Sequence, residues 1–103
     1  MRRNYTRTIP REWRAMARIF VALGDEHRQR ILLTFEPGER LTAGQIAEVS
    51  TLSRPAVSHH LKILREAGVL KREKVGRESW FSIDRAPVES ALSAVLDYVR
   101  GNA

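Results

Sequence analysis

The stretch TAGQIAEVSTLSRPAVSHHLKILREAGVL, residues 42–70, decides the fold. Thr42 followed three residues later by Gln45 forms a capping box, which predicts that a helix begins directly after it. Ser53 is suited to cap a second helix, and Gly68 is suited to end it. Only a few residues separate the two helices. The stretch therefore predicts two short helices joined by a tight turn, which is a helix-turn-helix.

The second of these helices has an apolar stripe formed by Val57, Leu61 and Leu64. Because a helix turns by about 100° per residue, this stripe faces a core and the opposite side faces solvent. The outward side chains are then those of Pro55, Ser58, His59, Lys62 and Glu66. Several of these groups donate or accept hydrogen bonds, so this edge is the candidate binding surface.

A β-hairpin follows the two helices. Residues 69–75 and 78–83 are strand-like, and Gly76-Arg77 between them forms a two-residue turn with glycine at its first central position. Trp80 and Phe81 alternate in the second strand, and we expect core packing for both because the hairpin must be fastened to the helices. The sequence thus predicts a mainly α fold with a small β-hairpin wing, a winged helix-turn-helix in the order four helices, two strands, one helix.

Helices at both ends of the chain complete the predicted domain. They span residues 10–23 and 87–100, and a short helix capped by Asp25 is expected to run to about Phe35. Both terminal helices have apolar bands too broad for one neighbour, which indicates a subunit interface. The expected interface residues are Trp13, Met16, Ile19, Phe20, Leu92, Val95, Leu96 and Val99.

The chain of 103 residues is the usual size of one domain, which we expect to cover residues 10–103 after a flexible basic arm at residues 1–9. The arginines of this arm either follow DNA or are solvated charge on a frayed end, and the sequence leaves both open. No long apolar run and no secretory signal are present, so a cytoplasmic location is expected.

Charge is concentrated in two segments. Residues 1–18 hold six arginines and one acidic residue, and residues 54–77 hold seven basic and two acidic residues, in a chain of formal net charge +6. Such a distribution favours a polyanionic partner. The absence of cysteine excludes disulfides and thiolate metal sites. The sequence has no Gly-rich phosphate loop, nucleophile elbow or close acidic pair, so we expect no enzyme.

Double-stranded DNA is the partner that these features favour. The helix offers side chains for base edges and phosphates, and the basic wing suits a flanking backbone or narrow minor groove. His60 lies beside the core stripe, where a hydrogen bond within the chain is as good an interpretation as a DNA contact. The candidate DNA-binding residues are Ser53, Arg54, Pro55, Ser58, His59, His60 and Lys62 on the helix and Lys71, Arg72, Lys74 and Arg77 on the wing.

Residues 52–70 closely resemble the ArsR/SmtB family of bacterial regulators, and the resemblance extends through residues 23–32 and 76–83 to cover about residues 13–100. Glu26-His27 departs from the Pro-Thr that is usual in the family. The resemblance implies a homodimer that pairs through its first and last helices, binds an imperfect inverted repeat in DNA and represses transcription until a signal releases it.

The resemblance also bears on metal sensing. Metal sensors of the family usually have a cysteine-bearing motif where this chain has residues 41–47, and a second family site uses Asp and His on the last helix, which here has Glu89 and Asp97 but no His. We therefore expect no metal and no cofactor. Thr42-Ala43-Gly44 and residues 58–61 resemble the metal-independent autorepressor branch, which implies repression of its own operon and release by an unidentified effector or a sequestering protein partner.

A second hypothesis is a winged-helix module whose basic faces meet an acidic protein partner or RNA. The same charge pattern and the same fold would serve such a partner. Competition between duplex DNA and these alternatives distinguishes the two hypotheses.

Overall fold

The computed structural model describes residues 3–103, and in this range the chain forms five helices and three strands. In chain order the elements are α1 (Arg11–Leu23), α2 (Glu26–Leu32), β1 (Leu41–Thr42), α3 (Ala43–Val49), α4 (Arg54–Ala67), β2 (Leu70–Val75), β3 (Glu78–Ile83) and α5 (Arg85–Asn102). This confirms the mainly α winged helix-turn-helix. No helix in the described range is long and apolar enough to cross a membrane.

The chain enters α1 through Pro10, whose carbonyl oxygen accepts from the backbone N–H groups of Trp13 at 3.0 Å and Arg14 at 3.2 Å. Residues 3–9 form no helix or strand and are exposed. The first two residues of the basic arm expected at residues 1–9 lie outside the described range.

Helix α2 begins as expected and ends early. The Asp25 side chain accepts from the backbone N–H of Arg28 at 3.1 Å, which caps the helix. The helix ends at Leu32 rather than near Phe35 because the next N–H groups bond to carbonyls only three residues back, those of Thr34 at 3.1 Å and Phe35 at 3.2 Å. This tighter winding closes the helix into a turn.

The helix-turn-helix has the predicted boundaries. The Thr42 hydroxyl accepts from the Gln45 N–H at 3.2 Å and the Gln45 side chain accepts from the Thr42 N–H at 2.9 Å, so both bonds of the capping box form. The Ser53 hydroxyl caps α4 by accepting from Ala56 N–H at 3.3 Å. Gly68 ends α4 with φ of +92°.

The wing is a three-stranded antiparallel sheet in the order β1-β3-β2. Val75 is paired with Glu78 across the tight turn, where Gly76 has φ of +61°. Strand β1 was not expected, because two residues are too few to show an alternating pattern. Its pairing of Thr42 with Trp80 joins the wing to the start of α3.

One hydrophobic core holds the helices and wing together. Its fully buried centre is formed by Ile46, Val57, Leu61, Leu64, Val69 and Leu70. Met16 and Ile19 of α1 are 8% and 4% exposed and belong to this core. The expectation that these two residues form a subunit interface is therefore corrected: their faces are already covered by the same chain.

Helix α5 begins at Arg85, two residues before the expected start. Pro87 is then the third helical residue rather than the first. Proline is tolerated there because the first backbone N–H groups of a helix have no acceptor within the helix.

Replacement of Gly68 by alanine tests how the end of α4 is built. Gly68 and Gly38 both have positive φ, of +92° and +72°, so each alanine must adopt a left-handed conformation that costs about 1–2 kcal/mol. A Cβ at Gly68 would also lie 3.3 Å from Pro87 Cβ, whereas a Cβ at Gly38 meets nothing within 4 Å. We expect Gly68→Ala to lower the free energy of unfolding in urea more than Gly38→Ala. Equal losses would contradict this explanation.

Candidate nucleic-acid interface

A groove of about 1000 Å³ lies between α4, the start of α3 and the wing. Its charged lining is mostly basic, with Arg54, Lys62, Arg65, Arg72 and Arg77 against Glu48 and Glu78. A concave surface with this excess concentrates positive potential and attracts a polyanion. The groove joins the two parts of the fold whose sequence is basic, α4 and the hairpin.

The outward face of α4 results from burial of the opposite face. Val57, Leu61 and Leu64 are at most 1% exposed, so they fix the rotation of the helix about its axis. The predicted contact residues on the other sides are all exposed: Ser53, Arg54, Pro55, Ser58, His59 and Lys62. Lys62 has a weak partner in Glu66, with Nζ and Oε1 3.9 Å apart at the surface.

The groove gathers three of these predicted residues, Arg54, Ser58 and Lys62, and adds one that was missed, Arg65. Ser58, Lys62 and Arg65 stand at i, i+4 and i+7, so they form one stripe along the helix. That spacing was the signal available in the sequence. Arg65 is half-buried and lies closer to the core than the edge predicted from the sequence.

Arg54 lies across the start of α3. A Cβ built on Gly44 would be 3.5 Å from Nη1 and 3.6 Å from Cζ of Arg54, so the guanidinium packs over the glycine. This position puts its charge at the junction of the two helices within the groove. A guanidinium there suits a phosphate, because its planar fork can donate two parallel hydrogen bonds.

The two faces of the wing separate Lys71 from Arg72. Arg72 is opposite Phe81 and Lys71 is opposite Ser82, and neighbouring residues of a strand point to opposite faces. Arg72 and Arg77 line the groove; Lys71, on the other face, does not, and neither does Lys74, which shares the face of Arg72 but lies nearer the hairpin tip. All four predicted wing residues are exposed, but only two lie in the lining of the groove shared with α4.

Arg40, in the loop before β1, fastens the outer face of the wing. Its Nη1 is 3.0 Å from Oε2 of Glu73, and its guanidinium lies over the Trp80 ring at 5.4 Å from the centroid. Phe81 is buried as expected, but Trp80 is on this outer face and only half-buried, since alternation turns it away from the core. The ion pair is exposed, so its contribution is about 0–1 kcal/mol.

His60 is directed into the chain. It is half-buried, and its Nδ1 is 3.4 Å from Nη1 of Arg28. Burial lowers the pKa of His60 below its ordinary value of 6.5, and the positive charge of Arg28 acts in the same direction against the opposing charge of Asp25, so the neutral ring is favoured. Since its polar edge already has an internal partner, we withdraw His60 from the expected DNA contacts.

The three histidines form a row between α2 and α4. The ring centroids of His27 and His60 are 5.8 Å apart, and those of His59 and His60 are 5.7 Å apart. A guanidinium, that of Arg28, borders this row. Within residues 3–103, no three His, Asp or Glu side chains are arranged to hold a metal ion.

Comparisons with known proteins agree with this geometry. A helix-turn-helix domain model matches residues 23–73. The transcriptional repressor SdpR of Bacillus subtilis is 32% identical over 84 residues, which cover 82% of this chain and 92% of SdpR. An ArsR-like transcriptional regulator from Rhodococcus sp. RHA1 superimposes with a TM-score of 0.78 at 27% identity, covering 86% of this chain and 83% of that one. The chain belongs to the ArsR/SmtB family.

A metal-resistance regulator is also among the ArsR/SmtB relatives. A homologue of the cadmium resistance transcriptional regulatory protein CadC of Staphylococcus aureus is 30% identical over 85 residues, which cover 82% of this chain and 70% of the relative. These ArsR/SmtB relatives are named as transcriptional regulators and not as enzymes, in agreement with the expectation from the sequence.

The two wing faces generate a prediction about salt dependence. Arg72→Ala removes a charge from the groove, so the slope of log affinity against log salt should become shallower by about 0.9 for each phosphate that the protein no longer neutralises. Lys71→Ala removes the same charge from the other face of the same strand and should change the slope less. Titration of a short duplex at several KCl concentrations measures both slopes. Equal changes in the two slopes would show that the phosphate backbone of the DNA does not bind in the groove.

Proposed function

We propose that this ArsR/SmtB protein is a homodimeric, sequence-specific repressor that binds an inverted-repeat operator in double-stranded DNA. The observation that supports it most directly is the basic groove between the outward edge of α4 and the wing. A helix edge with hydrogen-bonding groups beside a basic hairpin matches what a duplex offers, base edges in a groove flanked by phosphates.

The dimensions of α4 suit the major groove. Its 14 residues make a helix about 21 Å long, and a major groove about 12 Å wide admits one helix. Ser58 and Lys62 on the exposed stripe are placed to donate to base edges. Arg54, Arg65 and Arg77 at the borders of the groove are placed for phosphates, which fix the register of the protein on the duplex.

The apolar band of α5 supports pairing of two copies. Val88, Ala91 and Val95 pack in or against the core of their own chain. The neighbouring stripe of Leu92, Leu96 and Val99 is 49%, 46% and 52% exposed. A single chain thus covers half of the band, and a second copy would cover the other half.

Helix α1 contributes less to the proposed dimer surface than its sequence predicts. Phe20 is 38% exposed and remains available. Trp13 instead packs edge-on against Tyr98 with ring centroids 5.0 Å apart, which joins α1 and α5 of the same chain. The proposed interface therefore consists mainly of Phe20, Leu92, Leu96 and Val99.

The surface area of the single chain also supports a dimer. Its accessible area is 8025 Å² and its dimensions are 58 × 24 × 22 Å. A compact monomeric protein of 11.8 kDa exposes about 5900 Å². The excess belongs to an elongated shape, to which the exposed residues 3–9 and the uncovered apolar surface of α5 both contribute. Two-fold pairing would present two copies of α4 to half-sites about 34 Å apart.

Repression is proposed on the strength of the relatives, of which SdpR is named a transcriptional repressor. A repressor bound to an operator blocks transcription by occupying DNA, and it needs no catalytic group for this. We extend the proposal to autoregulation, with the operator upstream of the protein's own gene. We also propose a cytoplasmic location, as expected from the sequence, because a repressor must reach the chromosome that it binds.

Selection of duplexes from a random pool tests the proposal. We expect an inverted repeat whose half-sites are one helical turn apart, and binding of the protein's own upstream DNA above scrambled DNA. A variant with Ser58→Ala and Lys62→Ala should lose the sequence preference more than it loses affinity for arbitrary DNA. If RNA or an acidic protein displaces every selected duplex, the interaction-module hypothesis replaces this one.

The dimer is tested by placing charge on the exposed stripe of α5. Leu92→Asp with Leu96→Asp should convert the protein to monomers, because an unpaired carboxylate is costly to bury in an apolar interface. Affinity for the inverted repeat should then fall by at least about tenfold, since two linked half-sites bind together. Leu33→Asp, at an 84% exposed position of the α2 turn, is the matched control. Sedimentation measures mass, and an unchanged dimer would exclude this interface.

A further inference from the structure

Arg28 joins three helices. Its Nε donates to the carbonyl of Ala22 at 2.8 Å and its Nη2 donates to the carbonyl of Val21 at 3.1 Å, which ties it to the end of α1. Its own backbone lies in the first turn of α2. Its Nη1 is 3.4 Å from Nδ1 of His60, in the middle of α4. One guanidinium therefore links the helix next to the proposed dimer surface with the recognition helix.

The contact with His60 requires a neutral ring. A guanidinium carries only donors, so Nδ1 of His60 must accept and the ring proton must reside on Nε2. A second proton, on Nδ1, would remove the acceptor and set an imidazolium against a guanidinium. The same pair of side chains that joins α2 to α4 would then repel.

We propose that neutral His60 is a positioning residue that ties α4 to α2 through Arg28, so that protonation of His60 loosens this tie, although the buried stripe of α4 keeps its rotation, and thereby weakens DNA binding. This proposal rests on the proposed function and adds proton regulation to the same site. His60 itself need not touch DNA.

The groups around His60 on α1, α2 and α4 together favour the neutral ring. Arg28 and His27 of α2 and His59 of α4 oppose a proton on His60, and Asp25 at the start of α2 favours it. Helix α1 contributes two carbonyl groups, both bound to Arg28. Burial is the largest effect, and the resulting pKa of His60 lies below 6.5.

His59 is next to His60 in the sequence, so the contributions of the two side chains must be separated. It is exposed on the outward side of α4, whereas His60 is turned towards Arg28. Substitution of each histidine alone resolves the two positions.

The test compares His60→Asn, His60→Leu and His59→Asn. Asparagine at position 60 places a carbonyl oxygen near the position of Nδ1, so it can accept from Arg28 and cannot be protonated. Leucine at position 60 offers no acceptor at any pH. His59→Asn keeps His60 and its contact with Arg28, so it serves as the control on the same helix.

Affinity for the duplex recovered in the selection is measured at about pH 7.5 and about pH 5.0. Relative to His60→Asn, the wild-type protein should lose affinity over this interval, by up to about tenfold for each pH unit below the pKa that controls binding. His60→Leu should bind weakly at both pH values. His59→Asn keeps His60 and its contact with Arg28, so it should still lose affinity in acid. Identical pH profiles for wild type and His60→Asn would overturn the proposal.

Unfolding of the protein alone separates this proposal from the proposed function. Because the pKa of His60 is lower in the folded than in the unfolded chain, its contribution to stability is complete above 6.5 and decreases as the pH falls from there towards the folded pKa. Wild type should therefore lose more urea resistance in acid than His60→Asn. Failure to enrich any duplex would defeat the proposed function alone. Equal acid destabilisation of the two proteins would show that protonation of His60 does not weaken its contact with Arg28, and this result does not depend on DNA binding.

Discussion

Burial of one aliphatic stripe of α4 determines what the rest of this molecule can do. Val57, Leu61 and Leu64 are excluded from water, and each such side chain contributes about 1.5–3 kcal/mol when fully buried. That energy fixes the rotation of the helix about its axis, and the rotation determines the directions in which its polar side chains point. The basic groove, the exposed edge and the inward position of His60 all follow from this one rotation. Polar chemistry on α4 is thus arranged by apolar packing behind it.

Local chemistry explains which parts of the fold could be predicted from the sequence. The capping box of Thr42 and Gln45 and the Gly76 turn depend on residues only a few positions apart, and both formed as expected. Strand β1 has two residues and gains its identity only from pairing with β3, so no pattern within it could reveal it. The end of α2 could not be predicted either. The sequence does not decide between α-helical winding and the tighter winding seen at Thr34 and Phe35.

The candidate site shows the same division. The exposed edge of α4 followed from helical periodicity, and the spacing of Arg65 from Ser58 and Lys62 marked it as a candidate, but only the position of the wing places Arg65 in the groove. The contact of Arg28 with His60 joins residues that are 32 positions apart. The broad apolar bands showed that the terminal helices need two neighbours. They could not show that Met16 and Ile19 face the chain's own core, because that depends on where α1 crosses α4 and α5.

Thr42 has two structural roles: it is the last residue of β1, where it pairs with Trp80, and it caps α3. No spacer separates the sheet from the helix-turn-helix at this residue. Extra residues inserted there would break the strand pairing or the cap, whereas the tip at Gly76 opens into empty space. Natural length variation in this protein's lineage should therefore be rarer at the strand–helix junction than at the hairpin tip, where an insertion need only leave Arg77 in the groove.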